Sequence, residues 1–119
     1  MDCEISALVA SPQTYIQEFY NKTGVAVLLK SNYNMLTSEK GIYLSTYGCK
    51  GMATAGSGDV LAGILAGAIH LTKDITKGAL LASYLHGTAG NFAQKEKTAY
   101  AMTASDIIDN IPNAFKTLI

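Results

Sequence analysis

The stretch "GMATAGSGDVLAGILAG", Gly51 to Gly67, decides how this chain is read. It sets one aspartate, Asp59, behind a run of small residues and directly ahead of a hydrophobic helix pattern. Between Lys50 and Lys73 no other side chain is fully charged at neutral pH. Two readings follow. Asp59 complements the dipole at a helix start, or the segment is a site for a phosphate and a proton.

Phosphate-binding templates separate these readings only in part. A P-loop requires Gly-x-x-x-x-Gly-Lys; Gly51 and Gly56 have that spacing, but Ser57 occupies the lysine position. A dinucleotide fingerprint requires Gly-x-Gly-x-x-Gly after a strand; Gly56 and Gly58 fit, Leu61 replaces the third glycine, and "YGCKGMATA" is not a buried strand. A looser template fits, with small residues ending in Gly-Asp at a helix N-terminus. The N–H groups of Ala55, Gly56, Ser57 and Gly58 carry no side chain large enough to block an anion, and the unsatisfied first turn favours negative charge. Such a nest holds a phosphoryl group while charge shifts, and Asp59 beside it is placed to take a proton from an attacking hydroxyl. Glycines ahead of a helix also simply make turns, so spacing alone leaves both readings open.

Outward from this loop, "SPQTYIQEFYNKTG" predicts a helix with Ser11 as N-cap, Pro12 at its first position, Gly24 past its end and an apolar stripe of Tyr15, Ile16, Phe19 and Tyr20. "VAVLLK" is an unalternating aliphatic run, which suits a strand covered on both faces in a parallel sheet. "NYNMLTSEKGIYLSTY" predicts a β-hairpin turning at Ser38-Glu39-Lys40-Gly41. Helices are expected from about Gly58 to Leu71 and Ile75 to Lys97. A shorter one starts at a capping box of Thr103 and Asp106 and is interrupted near Pro112. Ala62, Gly63, Ala66 and Gly67 leave one helix face nearly bare, a pattern expected to permit close packing. The order predicts an α/β fold with an incomplete sheet, one hairpin and several helices, in a single domain over residues 1–119. Open sheet edges on a chain with 49% hydrophobic residues predict association with a partner or a second copy.

Composition excludes other classes. Nine lysines balance nine acidic residues and there is no arginine, which argues against nucleic-acid and anionic-membrane binding. Cys3 and Cys49 are far apart and are expected as reduced thiols. "MDCEIS" has neither a basic start nor an apolar core, and the run from Val60 to Ile69 is too short to span a bilayer, so the expected location is the cytoplasm. His70 and His86 lack zinc-motif spacing. His86, among Ala82, Ala89 and Gly90, is expected as a hydrogen-bonded packing residue, and His70 as a helix-end residue. Ser57 has no Gly-x-Ser-x-Gly context and is expected as a cap or phosphate donor.

The "GMATAGSGD" run, with "GVAVLLK" upstream and "ASYLHGTAG" and "MTASDIIDNIPNAF" downstream, resembles the ADP-dependent NAD(P)H-hydrate dehydratases, the YjeF C-terminal-type branch of the ribokinase-like superfamily. The resemblance runs from about Glu4 to Phe115 and covers only the C-terminal part of that family's α/β sandwich. It implies that the hydroxyl of hydrated NADH or NADPH is phosphorylated by ADP, or ATP in some relatives, after which phosphate leaves and the dihydronicotinamide is restored. Asp59 matches the family's substrate-binding aspartate and proposed base, Gly58 a nucleotide contact, and Ala55, Gly56, Ser57 and Gly58 the anion hole. Lys30, Ser31, Asn32, Tyr33 and Asn34 match a nucleotide-binding turn usually written Lys-Gly-x-x-Thr. Ser31 stands here for the glycine and Asn34 for the threonine, and Cys49-Lys50 replaces a usual Asn-Pro. The resemblance implies Mg2+ with the nucleotide, but the family's metal-organising region and much of its hydrate-binding surface lie upstream of what this chain matches. The rival expectations are a non-catalytic α/β module that binds adenine nucleotide or only oligomerises, and a fragment of a sugar or vitamin kinase.

Overall fold

The computed structural model describes residues 10–30 and 33–119. They fall into two compact units, divided between Thr46 and Tyr47.

In the first unit, helix α1 (Pro12–Thr23) has the predicted ends. Pro12 opens it, and Gly24, at φ 70°, closes it in the left-handed region with its N–H donated to Tyr20 O. Ser11 stands at the N-cap but makes no side-chain capping bond. The predicted stripe faces inward, with Ile16 fully buried and Tyr15, Phe19 and Tyr20 half-buried. The strands are β1 (Leu28–Leu29), β2 (Asn34–Ser38) and β3 (Gly41–Ser45), in the order β1-β2-β3. The hairpin turns where predicted, pairing Ser38 with Gly41, and Ser38 Oγ donates to Gly41 O at 2.9 Å.

The expectation for "VAVLLK" is corrected. Only Leu28 and Leu29 are strand, they pair antiparallel with Leu36 and Met35, and they are half-buried. An aliphatic run reports that a strand is covered, not the direction of its neighbour. Thr37 ties the preceding segment down: Val27 N–H donates to its Oγ1 at 2.8 Å, and Thr37 N–H donates to Val27 O at 3.1 Å. That satisfies a threonine with no solvent exposure.

The second unit is helical. After a short 3-10 turn (Lys50–Met52) come α2 (Ser57–Thr72), α3 (Ile75–Lys97), α4 (Ala104–Asp109) and α5 (Ile111–Lys116). Asp74 caps α3 by accepting from Lys77 N–H at 2.8 Å. The Thr103–Asp106 capping box forms as predicted, with Thr103 N–H donating to Asp106 Oδ2 at 2.8 Å. That hydrogen bond holds the Asp106 carboxyl below its ordinary value, against the opposing effect of desolvation. Pro112 falls in the first turn of α5, which explains the break after α4.

Helix α3 is the spine of this unit. Its buried positions are small apart from Leu85 and His86, and Leu85, Ala89 and Ala93 form the core with Met102, Ile107 and Ala114. The absence of a side chain at Gly87 lets the segment before the 3-10 turn cross the helix: a Cβ there would meet Tyr47 Cβ and lie 2.9 Å from Gly48 N. The bare face of α2 behaves otherwise than expected. Ala62, Gly63, Ala66 and Gly67 are exposed, and a Cβ added at Gly63 or Gly67 meets nothing within 4 Å. Among the described residues no helix is long and apolar enough to cross a membrane.

Opposite outcomes are therefore expected for two glycine substitutions. Gly87→Ala should destabilise the second unit by about 1–3 kcal/mol through overpacking, whereas Gly63→Ala should stabilise it by about 1 kcal/mol through helix propensity. Urea unfolding followed by circular dichroism reads both; equal midpoints for the two variants would refute the assigned packing.

Candidate functional site

The loop ahead of α2 is fastened to α3 at several points. Tyr47 packs edge-on against Tyr84 with ring centroids 4.9 Å apart. Cys49 Sγ donates to Gly90 O at 3.4 Å, and Gly51 N–H donates to Gln94 Oε1 at 3.1 Å. With its entrance held, the chain reaches Gly56, which is the N-cap of α2 at φ 87° and ψ −8°. That left-handed conformation belongs to glycine, and it carries the backbone from the loop into the helix.

The resulting arrangement at Ala55–Asp59 is a nest of backbone donors. Ser57 N–H is bonded to Thr54 O at 3.2 Å, and the carbonyl of Gly56 accepts the first helical bond from Val60 N–H at 3.1 Å. Among the described residues the N–H groups of Ala55, Gly56, Gly58 and Asp59 have no acceptor. The donor set thus differs from the expected one: Ser57 drops out and Asp59 joins. Ala55, Gly56 and Asp59 are exposed and Gly58 is half-exposed, so an anion can reach them. The Asp59 side chain makes no hydrogen bond or ion pair among the described residues.

Ser57 is the buried member of the group and does not cap the helix with its side chain. Its Oγ lies 3.3 Å from His86 Nε2, and the same nitrogen lies 3.0 Å from Ser57 O. His86 is buried and hydrogen-bonded, as expected of a packing residue. His70 is exposed in the last turn of α2.

Lys30 to Asn34 belongs to the first unit, whereas Ala55 to Asp59 belongs to the second. Lys30 and Tyr33 are exposed, and Asn34 opens β2 paired with Ser45. Ser31 and Asn32 lie outside the described residues, as does Cys3.

The sequence did not foretell the cavity that Asp59 borders. It has a volume of about 630 Å³ and is lined by apolar side chains of α2, α4 and α5, including Ile64, Leu71, Ile108, Ile111 and Phe115. Gly63 and Gly67 lie on its wall, so the bare face of α2 borders open space. The available signal was the run of apolar residues Ile108, Ile111 and Phe115, which fall on two consecutive short helices, Ile108 on α4 and the other two on α5.

The family model described as NAD(P)H-hydrate dehydratase matches residues 3–113. The chain belongs to the NAD(P)H-hydrate dehydratase family.

Within that family, it is 34% identical to the bifunctional NAD(P)H-hydrate repair enzyme Nnr of Moorella thermoacetica, over 97% of this chain and 23% of that protein. Among solved structures, it resembles the ADP/ATP-dependent NAD(P)H-hydrate dehydratase of Bacillus subtilis co-crystallised with ATP and Mg2+, with a TM-score of 0.87 and 25% identity over 96% of this chain and 42% of that one. A ribokinase-like superfamily protein of Enterococcus faecalis superposes with a TM-score of 0.73 at 32% identity, over 85% of this chain and 35% of that chain. The fold is therefore the C-terminal part of the ribokinase-like α/β fold of the NAD(P)H-hydrate dehydratases. The chain spans about a quarter of the Moorella enzyme and less than half of the Bacillus one.

At the loop entrance the Cys49 thiol is pushed above its ordinary value by burial, against smaller opposing hydrogen bonds from Gly51 and Met52. A raised thiol pKa leaves less thiolate at neutral pH, and thiolate is the nucleophile. In a Cys3→Ser background, Cys49 should alkylate with iodoacetamide more slowly than a free cysteine at pH 7 to 8. The rate should inflect above the ordinary thiol range; an inflection below it would contradict the burial.

Proposed function

We propose that this chain supplies the nucleotide loop and the catalytic base of a nucleotide-dependent NAD(P)H-hydrate dehydratase. The observation that carries the reading is the pairing of open N–H groups at Ala55–Asp59 with an unpaired, exposed carboxylate on Asp59. A phosphoryl group of ADP or ATP would accept from the nest, where fixed donors stabilise charge as it moves. The Asp59 carboxylate would accept the proton of the hydrate's hydroxyl as that oxygen bonds to phosphorus. The bond from phosphorus to the bridging oxygen breaks, and AMP leaves when ADP is the donor. Loss of phosphate from the ring then restores the dihydronicotinamide. Lys30 to Asn34 are proposed as nucleotide-contacting residues of the first unit, with Asn34 able both to donate and to accept in place of threonine.

The Bacillus relative was crystallised with ATP and Mg2+. Among the described residues no cluster of three or more His, Cys, Asp or Glu side chains could hold a metal ion. On this reading the ion would travel with the nucleotide's own phosphates.

Residues 1–119 are proposed as part of one domain rather than two, since the family model runs across both units from residue 3 to 113. The cytoplasm is the proposed location. The apolar cavity, with Leu71 65% and Ile108 50% exposed, supports association with the rest of the family fold or with a second copy of the chain. Light scattering at micromolar concentration reads the second case; a strictly monomeric mass would count against self-association.

Calorimetric titration with ADP and AMP, with and without Mg2+, tests the central reading. Saturable ADP binding is expected, weakened in Gly58→Val, where a side chain would intrude on the nest. With the complementary part of the fold supplied, Asp59→Asn should lower turnover by about 10²–10⁴-fold, the range for loss of a general base, and leave ADP affinity little changed. Wild-type turnover in Asp59→Asn would remove the base assignment. Absence of ADP binding by the folded chain would favour a structural module.

A further inference from the structure

His86 joins α3 to the first residue of α2 through a contact that spans 29 positions of sequence. A carbonyl oxygen can only accept, so the 3.0 Å approach of His86 Nε2 to Ser57 O requires that this nitrogen carry the hydrogen. The same N–H lies 3.3 Å from Ser57 Oγ, which then stands as a second, weaker acceptor. A hydroxyl that accepts in this way keeps its own proton to donate elsewhere. Both residues are nearly excluded from solvent, Ser57 at 6% and His86 at 4%. In that setting a lost hydrogen bond is not replaced by bulk water.

We infer that His86 is a positioning residue for the anion nest, anchoring the carbonyl and hydroxyl of Ser57 so that the adjoining N–H groups of Gly58 and Asp59 hold a fixed geometry. The inference rests on the reading of Ala55–Asp59 as a phosphate nest. Ser57 itself has no backbone donor to give, because its N–H is already bonded to Thr54 O. Its role is to be the point at which the nest is tied down from both sides: Thr54 holds its N–H and His86 its carbonyl. Gly56 next to it has a left-handed backbone and no side chain with which to resist movement. Without the His86 anchor, the turn carrying the donors would be held by its local backbone bonds alone. His86 touches neither reacting atom nor nucleotide in this account. It acts through Ser57.

Two substitutions separate positioning from plain packing. His86→Leu removes the donor and keeps apolar bulk; His86→Gln keeps an N–H near the position of Nε2. Amide hydrogen exchange across the full chain is the first readout. In His86→Leu, exchange should rise about five- to tenfold, the scale of one lost hydrogen bond, at Ser57 and Val60, whose N–H groups are bonded to Thr54 O and Gly56 O on either side of the open donors, and stay near wild type in the C-terminal half of α3. His86→Gln should recover most of the protection. The second readout is affinity for ADP against adenosine. His86→Leu should weaken ADP by a similar factor and leave adenosine unchanged, because only ADP places phosphate in the nest. A uniform rise in exchange through α2 and α3, or equal weakening of ADP and adenosine, would overturn the proposal and leave His86 as packing. If the wild-type chain binds no ADP, the nest reading fails by itself. The exchange pattern then still decides whether His86 holds this turn: a local rise at Ser57 and Val60 supports the anchor, and an unchanged or uniform profile refutes it.

Discussion

The second unit depends on how closely backbone can approach α3. Gly87 admits the chain at Tyr47 and Gly48, Gly90 admits Met52, and Gly78 admits Ile69 of α2. Each glycine costs the helix about 1 kcal/mol in propensity relative to alanine, so this helix forms on the strength of tertiary contact rather than local preference. The consequence reaches the site. Because the Tyr47–Met52 segment lies against α3, the loop that follows is held at one end by Cys49 and Gly51 and at the other by Ser57. The donors of Ala55 and Gly56 lie between these anchors, and those of Gly58 and Asp59 directly follow the second. A nest of open N–H groups would otherwise relax into internal bonds, since backbone donors find acceptors wherever the chain permits.

The parts of the fold legible in the sequence were those whose cause is local. Pro12 and Gly24 bracket α1, Ser38 and Gly41 flank a two-residue turn, and Thr103 with Asp106 starts α4. Each signal acts within a few residues and needs no knowledge of neighbours. What failed needed a partner. The direction of β1 depends on β2, and the aliphatic run cannot encode it. The bare face of α2 indicated room for close approach, but a missing side chain equally makes the wall of a cavity. Asp59 was legible because a single charge in an uncharged stretch needs a reason. Its tie through Ser57 to His86 was not, because the two lie on different helices and share no periodicity.

Family membership changes the weight of the departures rather than their physics. Asn34, which stands where the resemblance expects threonine, opens β2 paired with Ser45. Cys49-Lys50 sits elsewhere, at the foot of the loop, where the 3-10 turn forms and the Cys49 thiol reaches the Gly90 carbonyl. Proline would have removed one backbone donor at that point; lysine keeps it, and the thiol adds a weak bond to α3. Cys49 therefore adds a point at which the loop is attached to α3.

The exposure of Asp59 and its neighbours bears on what this chain can do unaided. Two unit charges 4 Å apart interact by about 1 kcal/mol in water and about 4 kcal/mol at the effective dielectric of a partly covered site. A nest open to solvent on one side works near the lower figure, and water competes for every donor in it. The apolar cavity beside Asp59 is what a covering element would bury, and burying it would exclude water from Asp59 and the open N–H groups together. On the proposed reading, binding of a phosphate and acceleration of its transfer are separable. The first would need only the fixed arc from Ala55 to Asp59, and the second would need that arc to be covered.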